Sequence, residues 1–325
     1  MTNCEIIDRY CNHLTLMGRS VLTVSQYETD LTMFFKFLLC KKASLPPSFE
    51  NMENMLVSSI DESFIKNVTT IDVYEFLRYV TDVRHNKANA RARKLSSIKA
   101  FYKFLINSAR ICENNPAEAI GTPKLPKRLP KYLTVEESLS LLTAITEDKE
   151  SKTTPRDYAM IVIFLNSGVR LSELVGLSIS DLDKELTSMR VVGKGNKERL
   201  VYLNDACRDA LREYLAYRGM MPTIKDRSAL FLSLRGDRIS NKTVQHVVKK
   251  YLGIAGLEYK RFSTHKLRHT AATLMYQSGK VDVRVLKDIL GHEQLNTTQI
   301  YTHTSDAQMQ DAMKNNPLSS IKKKK

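Results

Sequence analysis

Apolar residues recur at three- and four-residue spacing along most of this chain, which predicts a mainly α protein. Ile6, Ile7, Tyr10, Leu14 and Met17 form one stripe, ended by Gly18. Thr23 and Gln26 then offer a capping box for a second helix, whose stripe is Tyr27, Leu31, Phe34, Phe35 and Leu38. From Ala43 to Asn67 the periodicity fades. Pro46 and Pro47 and the acidic residues Glu50, Glu53, Asp61 and Glu62 predict a long loop there, with room for one short helix. Thr69 or Thr70 caps a third helix with Ile71, Phe76, Val80 and Val83 inside, and a fourth spans about 87–107, turning Leu95, Ile98, Phe101, Tyr102 and Leu105 inward.

The second half of the chain opens with Thr134, Glu136 and Glu137 at a helix start, followed by a core helix over Asp157–Asn166. Its apolar run, Tyr158 to Leu165, is too short to cross a bilayer. SGVRLSEL places Arg170 at the start of another helix, with Glu173 one turn on. The segment 189–203 alternates around a glycine-rich turn and predicts a β-hairpin with Lys194 at its tip. Beyond it the pattern is helical apart from a turn at Leu234–Asp237. Ser263 or Thr264 caps a helix that Gly279 ends, with Leu267, Ala271, Leu274 and Ser278 as its buried stripe. Asp282 begins a short helix with Val283, Leu286 and Ile289 inward, which stops at Gly291 and leaves His292 just past its end. Asn296 and Gln299 open a last helix with Tyr301 in its first turns.

Charge changes this picture. Lys and Arg number 50 against 35 Asp and Glu, a net charge of +15, and such an excess points to a polyanion. It is clustered. Lys87, Arg91, Arg93, Lys94, Lys99 and Lys103 sit on the fourth helix with almost no acid among them, a face suited to the phosphates of a DNA groove. Pro123 to Lys131 is a proline-spaced strap carrying Lys124, Lys127 and Arg128, stiff enough to join two domains around a duplex. The domains expected are residues 1–120, a linker 121–131, a larger unit 132–314 and a basic tail 315–325 that ends in four lysines and is expected to be disordered.

The histidines supply candidate chemistry. His265 and Arg268 lie three apart on one helix face and can reach the same anionic group, and a phosphate-sized site can be lined by these two with His292 and Tyr301. His265 and His269 have the spacing of a zinc pair, but Lys266 stands where a zinc protease needs Glu and no third ligand suggests itself, so neither a metal nor another cofactor is expected. No Gly-Lys-Ser/Thr phosphate loop is present. Cys4, Cys11, Cys40, Cys112 and Cys207 are scattered, and the start MTNCEIID lacks a secretory pattern; both features suggest a reduced, cytoplasmic protein.

Arg170 in SGVRLSEL, Lys194 in a glycine-flanked hairpin, His265 and Arg268 in HKLRH, His292 in LGH and Tyr301 in TTQIYTH occur in that order. Together they resemble the tyrosine recombinase (phage integrase) family, and the two-domain layout is most similar to its Xer branch. The resemblance implies a helical SAM-like core-binding domain joined to a catalytic domain. It implies that Tyr301 is the nucleophile, forming a 3′-phosphotyrosine, while Arg170 and Arg268 hold the phosphate oxygens. Lys194 would protonate the leaving 5′-oxygen, His265 would move a proton, His292 would hydrogen-bond the phosphate, and Glu173 would brace the site. It also implies a tetramer on two synapsed double-stranded DNA sites, either of one chain or of two, and a final helix passed to a neighbour; Ser305–Lys314 is the candidate for that helix, with packing on its own subunit as the alternative. The loop at 43–67 departs from the short connection usual in the Xer branch.

Singly, each residue has a plainer reading: Arg170 paired only with Glu173, Lys194 as a solvated turn residue, His292 at a helix end, Tyr301 half-buried in a core. His269 and His303 are read as structural. At the level of function, chromosome dimer resolution stands beside the integrase of a mobile element, a type IB topoisomerase, and a non-catalytic regulator that uses the basic helix from Arg91 to Lys99.

Overall fold

The computed structural model describes residues 4–122, 131–260, 262–279 and 281–291, with the backbone alone for Lys194. The chain divides into two compact units, Met1–Lys127 and Arg128–Lys325. Both are helical, and the named strands among the described residues form one antiparallel hairpin in the second unit.

The first unit contains α1 (Glu5–Leu16), α2 (Val21–Lys42), α3 (Phe49–Asn54), α4 (Glu62–Lys66), α5 (Thr70–Asp82) and α6 (Ala88–Asn107). Its core is aromatic: Tyr10, Phe34, Phe35, Phe76, Phe101 and Tyr102 are all buried, with edge-on ring pairs such as Tyr10 against Phe101 at 5.3 Å. Gly18, at φ 72°, ends the turn after α1, and Met17 stays exposed. The cap of α2 lies earlier than the spacing predicts: Ser20, not Thr23, accepts the backbone N–H, from Thr23 at 3.2 Å. Thr69 caps α5 through a reciprocal box with Asp72. The buried stripe of α5 is Val73, Phe76, Tyr79 and Val80, whereas Ile71 and Val83 face out.

Residues 43–67 are not a long loop. Ser48 and Asp61 cap α3 and α4, and a 3₁₀ turn, Val57–Ser59, lies between them. Met52, Val57, Ile60 and Ile65 are buried. The Tyr102 hydroxyl donates to the Ile65 carbonyl at 3.1 Å, so a core tyrosine satisfies this segment's backbone. Helices of six and five residues are too short to show a 3.6-residue period, which is why the pattern fades there.

The basic face of α6 also differs from its sequence pattern. Asp30 of α2 is fully buried and accepts from Lys94 Nζ at 2.9 Å, from Ser97 Oγ at 2.9 Å and from Arg93. Lys94 is 4% exposed, so this lysine is a core counter-ion and does not reach a surface phosphate. The acid that neutralises it comes from another helix, 64 residues away.

The second unit contains α7 (Val135–Thr146), α8 (Thr154–Ser167), α9 (Leu171–Gly176), β1 (Ser188–Val192), β2 (Glu198–Tyr202), α10 (Asp205–Gly219), α11 (Asn241–Ile254), α12 (Thr264–Gln277) and α13 (Val283–Leu290). Every residue from Ala159 to Phe164 is buried, the mark of a helix enclosed on all sides, and α7, α10 and α12 pack around α8. Thr134 and Glu137 form the capping box of α7. β1 and β2 pair in the register Ser188↔Tyr202 to Val192↔Glu198, with the turn at Lys194–Asn196.

Between α10 and α11 the chain is extended over more than the turn at Leu234–Asp237, with isolated bridges Ser178↔Ala229 and Leu232↔Arg238. Arginines satisfy its carbonyls: Arg218 donates to Arg227 O and Ala229 O at 3.1 and 2.9 Å. Arg238 donates to the carbonyls of Val175, Gly176 and Leu177 at the end of α9. Among the described residues no helix is long and apolar enough to cross a membrane.

Removing Lys94 takes one of three donors from a buried carboxylate that Arg93 and Ser97 still contact. Lys94→Met is expected to lower stability by about 1.5–3 kcal/mol, read from the urea midpoint, and Asp30→Leu with Lys94→Met to recover most of that loss. Full stability in Lys94→Met would show that the buried pair contributes nothing.

Candidate active site

The site is built where helix ends meet. α8 stops at Gly168, whose left-handed conformation (φ 61°) reverses the chain into α9. Arg170 occupies the N-cap of α9 with an extended backbone, and Glu173 reaches back to accept its N–H at 2.7 Å. The same carboxylate accepts from Arg170 Nη1 at 2.7 Å. From β2, Arg199 adds a fork: Nη1 to Oε1 at 2.7 Å and Nη2 to Oε2 at 2.9 Å. Burial alone would raise the carboxyl pKa of Glu173, which is 3% exposed. The hydrogen bonds from Arg199 and the Arg170 backbone, with the nearby guanidinium charge, overcome that and hold it at about 2.

α12 brings in Arg268. Its side chain is 2% exposed and donates from Nη1 to Gly168 O at 2.7 Å and from Nη2 to Leu290 O at 2.6 Å. Arg170 Nη2 donates to Gly291 O at 3.1 Å, and Arg199 Nε to Ile289 O at 3.2 Å. Three successive carbonyls at the end of α13 therefore each accept from a different arginine. A helix C-terminus carries partial negative charge on its unpaired carbonyls, which is why cations collect there.

Two glycines permit this approach. A Cβ on Gly168 would lie 2.8 Å from Leu290 Cδ2, and one on Gly291 would lie 3.0 Å from Arg199 Cδ. In α13 the fully buried residues are Leu286 and Leu290, with Val283 and Ile289 partly covered. α12 is buried on more sides than one stripe: Leu267, Ala271, Thr270, Ala272 and Thr273 are enclosed, Leu274 is partly covered and Ser278 is exposed.

His265 lies on the first turn of α12 and reaches the surface. Desolvation by its neighbours, then the charges of Arg268 and Arg170, lower its pKa, so the ring is neutral at pH 7. His269 stacks edge-on against it with ring centres 4.5 Å apart. Burial first, then His265 and Arg268, push His269 down to about 4.

The structure thus gathers Arg170, Glu173 and Arg268, with His265 within electrostatic range of both arginines. The hairpin turn holding Lys194 closes through Gly193 N–H to Lys197 O at 2.7 Å, and a Cβ on Gly193 would come within 3.3 Å of Glu173 Oε1. The side chain of Lys194, together with His292, Tyr301, Lys124, Lys127 and Arg128, lies outside the described residues. On α6, Lys87 and Lys103 are exposed, Arg91 donates to Thr81 Oγ1 at 3.0 Å, and Lys99 donates to Glu118 O at 3.1 Å.

Arg199 escaped the sequence reading, although a signal was present. In the hairpin Met189, Val191 and Val201 face inward, and Arg199 shares their register opposite Val191. A charged residue at an inward position needs a buried partner, and Glu173 is that partner.

Comparison with known proteins extends these observations. The model of the Phage integrase family matches residues 131–308, and that of the Phage integrase, N-terminal SAM-like domain matches residues 47–108. This chain belongs to the phage integrase family. Among curated relatives of this chain, tyrosine recombinase XerC of Caldanaerobacter subterraneus subsp. tengcongensis is 44% identical over 315 residues, covering 97% of this chain and 87% of the relative. Tyrosine recombinase XerD of Proteus mirabilis is 37% identical over 305 residues, 93% and 90% of the two chains. The chain is accordingly an enzyme of the tyrosine recombinase class, with its Xer members as relatives. Its fold is shared with the XerH site-specific recombinase bound to palindromic difH (TM-score 0.70, 22% identity, covering 95% and 83% of the two chains). It is shared also with a lambda integrase dimer bound to a COC′ core site (TM-score 0.64, 17% identity, covering 90% and 96%).

The Glu173 carboxyl is lower in the folded chain than its ordinary 4.5, so its contribution is complete above pH 4.5 and is lost as pH falls through about 2. Glu173→Gln is expected to remove on the order of 3 kcal/mol at pH 7 and to flatten the decline in stability between pH 4.5 and 2. Urea unfolding across that range tests this, and a decline as steep as in the wild type would place the acid-sensitive group elsewhere.

Proposed function

We propose that this recombinase cuts and rejoins double-stranded DNA at a specific recombination site through a 3′-phosphotyrosine on Tyr301, in the role of Xer-type chromosome dimer resolution. One observation carries the reading most directly. Arg170 and Arg268 are tied to adjacent carbonyls, Gly291 O and Leu290 O, so two permanent cations are held together before any substrate arrives. A phosphodiester is anionic and slow to react, and cations fixed where charge grows in the transition state lower its barrier without reorganising. A guanidinium stays charged at any working pH and can bind two oxygens at once.

In this reading the Tyr301 phenol attacks phosphorus, the bond to the 5′-oxygen breaks, and Lys194 donates the proton that the leaving oxygen takes up. His265, kept neutral first by burial and then by the two arginines, takes a proton, and His292 donates a hydrogen bond to the phosphate. Glu173 braces Arg170. The covalent link conserves the energy of the broken ester, so a second strand's 5′-hydroxyl can reverse the step without ATP. Lys87, Arg91, Arg93 and Lys99, with Lys124, Lys127 and Arg128 of the strap, neutralise backbone phosphates. The assembly proposed is a tetramer on two synapsed sites, working in the cytoplasm, where five free cysteines stay reduced.

Tyr301→Phe is expected to bind DNA as the wild type does and to form no covalent complex, because only the nucleophilic oxygen is lost. Denaturing the complexes trapped in cells and sequencing the attached DNA tests this. One chromosomal site supports dimer resolution, the ends of a mobile element support an integrase of that element, and scattered sites support a topoisomerase. Covalent attachment surviving in the variant would move the nucleophile elsewhere. Neutralising Lys124, Lys127 and Arg128 together is expected to reduce the slope of log affinity against log salt by about 3, and an unchanged slope would show that the strap does not touch DNA.

A further inference from the structure

Arg199 has no part in the chemical steps above, yet three elements meet on its side chain, which is 14% exposed. Its two terminal nitrogens grip the two oxygens of Glu173 on α9, and its Nε holds Ile289 O on α13, while its own backbone belongs to the hairpin that carries Lys194. Glu173 in turn fixes Arg170 at both its backbone N–H and its guanidinium. The geometry points to Arg199 as a positioning residue for DNA cleavage: it orients Glu173, and through it the phosphate-facing Arg170, and it ties the Lys194 hairpin to the end of α13.

The arrangement demands an arginine. A parallel fork sets the plane of the partner carboxylate as well as its distance, and the same planar group supplies the third donor, along its stem side, for Ile289 O. A lysine ammonium could keep the charge beside Glu173 but could not hold both oxygens and the carbonyl in one plane. Glu173 would then be free to rotate, and Arg170 with it. Gly291, where a Cβ would come within 3.0 Å of Arg199 Cδ, fits the same purpose by leaving room for the Arg199 stem. The inference rests on Arg170 acting on the scissile phosphate.

The test uses the full-length protein on a nicked DNA substrate whose cut strand diffuses away, so that each covalent attachment counts once. Arg199→Lys and Arg199→Gln are expected to attach about 100-fold more slowly at saturating DNA, with DNA affinity unchanged. Arg199→Gln combined with Glu173→Gln is expected to be no slower than the slower single variant, since both act through one carboxylate. Attachment by Arg199→Lys at the wild-type rate, or losses that multiply in the double variant, would overturn the proposal. Amide hydrogen exchange provides a readout independent of chemistry: Arg199→Lys, at a temperature well below its thermal midpoint, should exchange faster across 286–291 while α8 exchanges as in the wild type. Unaltered exchange there overturns the positioning role, whereas a wild-type protein that binds DNA and never attaches counts against the phosphotyrosine reading instead.

Discussion

A guanidinium buried in a protein cannot shed its charge, so it must be given acceptors, and the end of a helix is a ready supply. In the catalytic unit that supply is the last turn of α13. Ile289, Leu290 and Gly291 present successive carbonyls to Arg199, Arg268 and Arg170, which come from a strand, a helix and a helix cap. Each charge-assisted bond contributes about 1.5–3 kcal/mol. The positions of these groups follow from satisfying backbone polarity, and the packing of α12 and α13 through Leu286, Leu290 and Ala272 holds the frame.

Three arginines so close would repel one another. Glu173 reduces the repulsion by taking hydrogen bonds from two of them, and it stays ionised despite burial because those bonds outweigh desolvation. The result leaves net positive charge beside a neutral imidazole, His265. Such a site suits an anion that arrives with its own counter-charge. Burial first, and then the same repulsion, keeps the histidine beside these cations neutral.

Much of the fold could be read directly. The capping box of Thr134 and Glu137, the buried run in α8 and the hairpin around Gly193 and Gly195 are local patterns, and local patterns survive folding. What could not be read depended on long-range partners or short elements. Asp30 meeting Lys94 across 64 residues removes a lysine from a face that looked uniformly basic. The 43–67 segment lacks period because its helices have barely more than a turn. Residues 220–240 look irregular because their carbonyls go to scattered partners, among them Arg218, Arg156, the Tyr214 hydroxyl and the Ile179 backbone, and not to one paired strand. Within the site, the pairing of Arg170 with Glu173 was legible from a three-residue spacing. Arg268 anchored to Gly168 and Leu290 was not, since nothing local marks a contact across 100 and 22 residues. His292 and Tyr301 were singled out by their order in the chain, and they lie outside the described residues.

The dependence on α13 has an evolutionary corollary. Inserting or deleting one residue within α13 would turn the residues beyond it by about 100° and slide them by about 1.5 Å. The three carbonyls at its end would then lose their alignment with the arginines, and no single substitution could restore all three at once. The helix is therefore a place where length, more than side-chain identity, is under constraint. Natural variation in chain length should therefore be purged within α13.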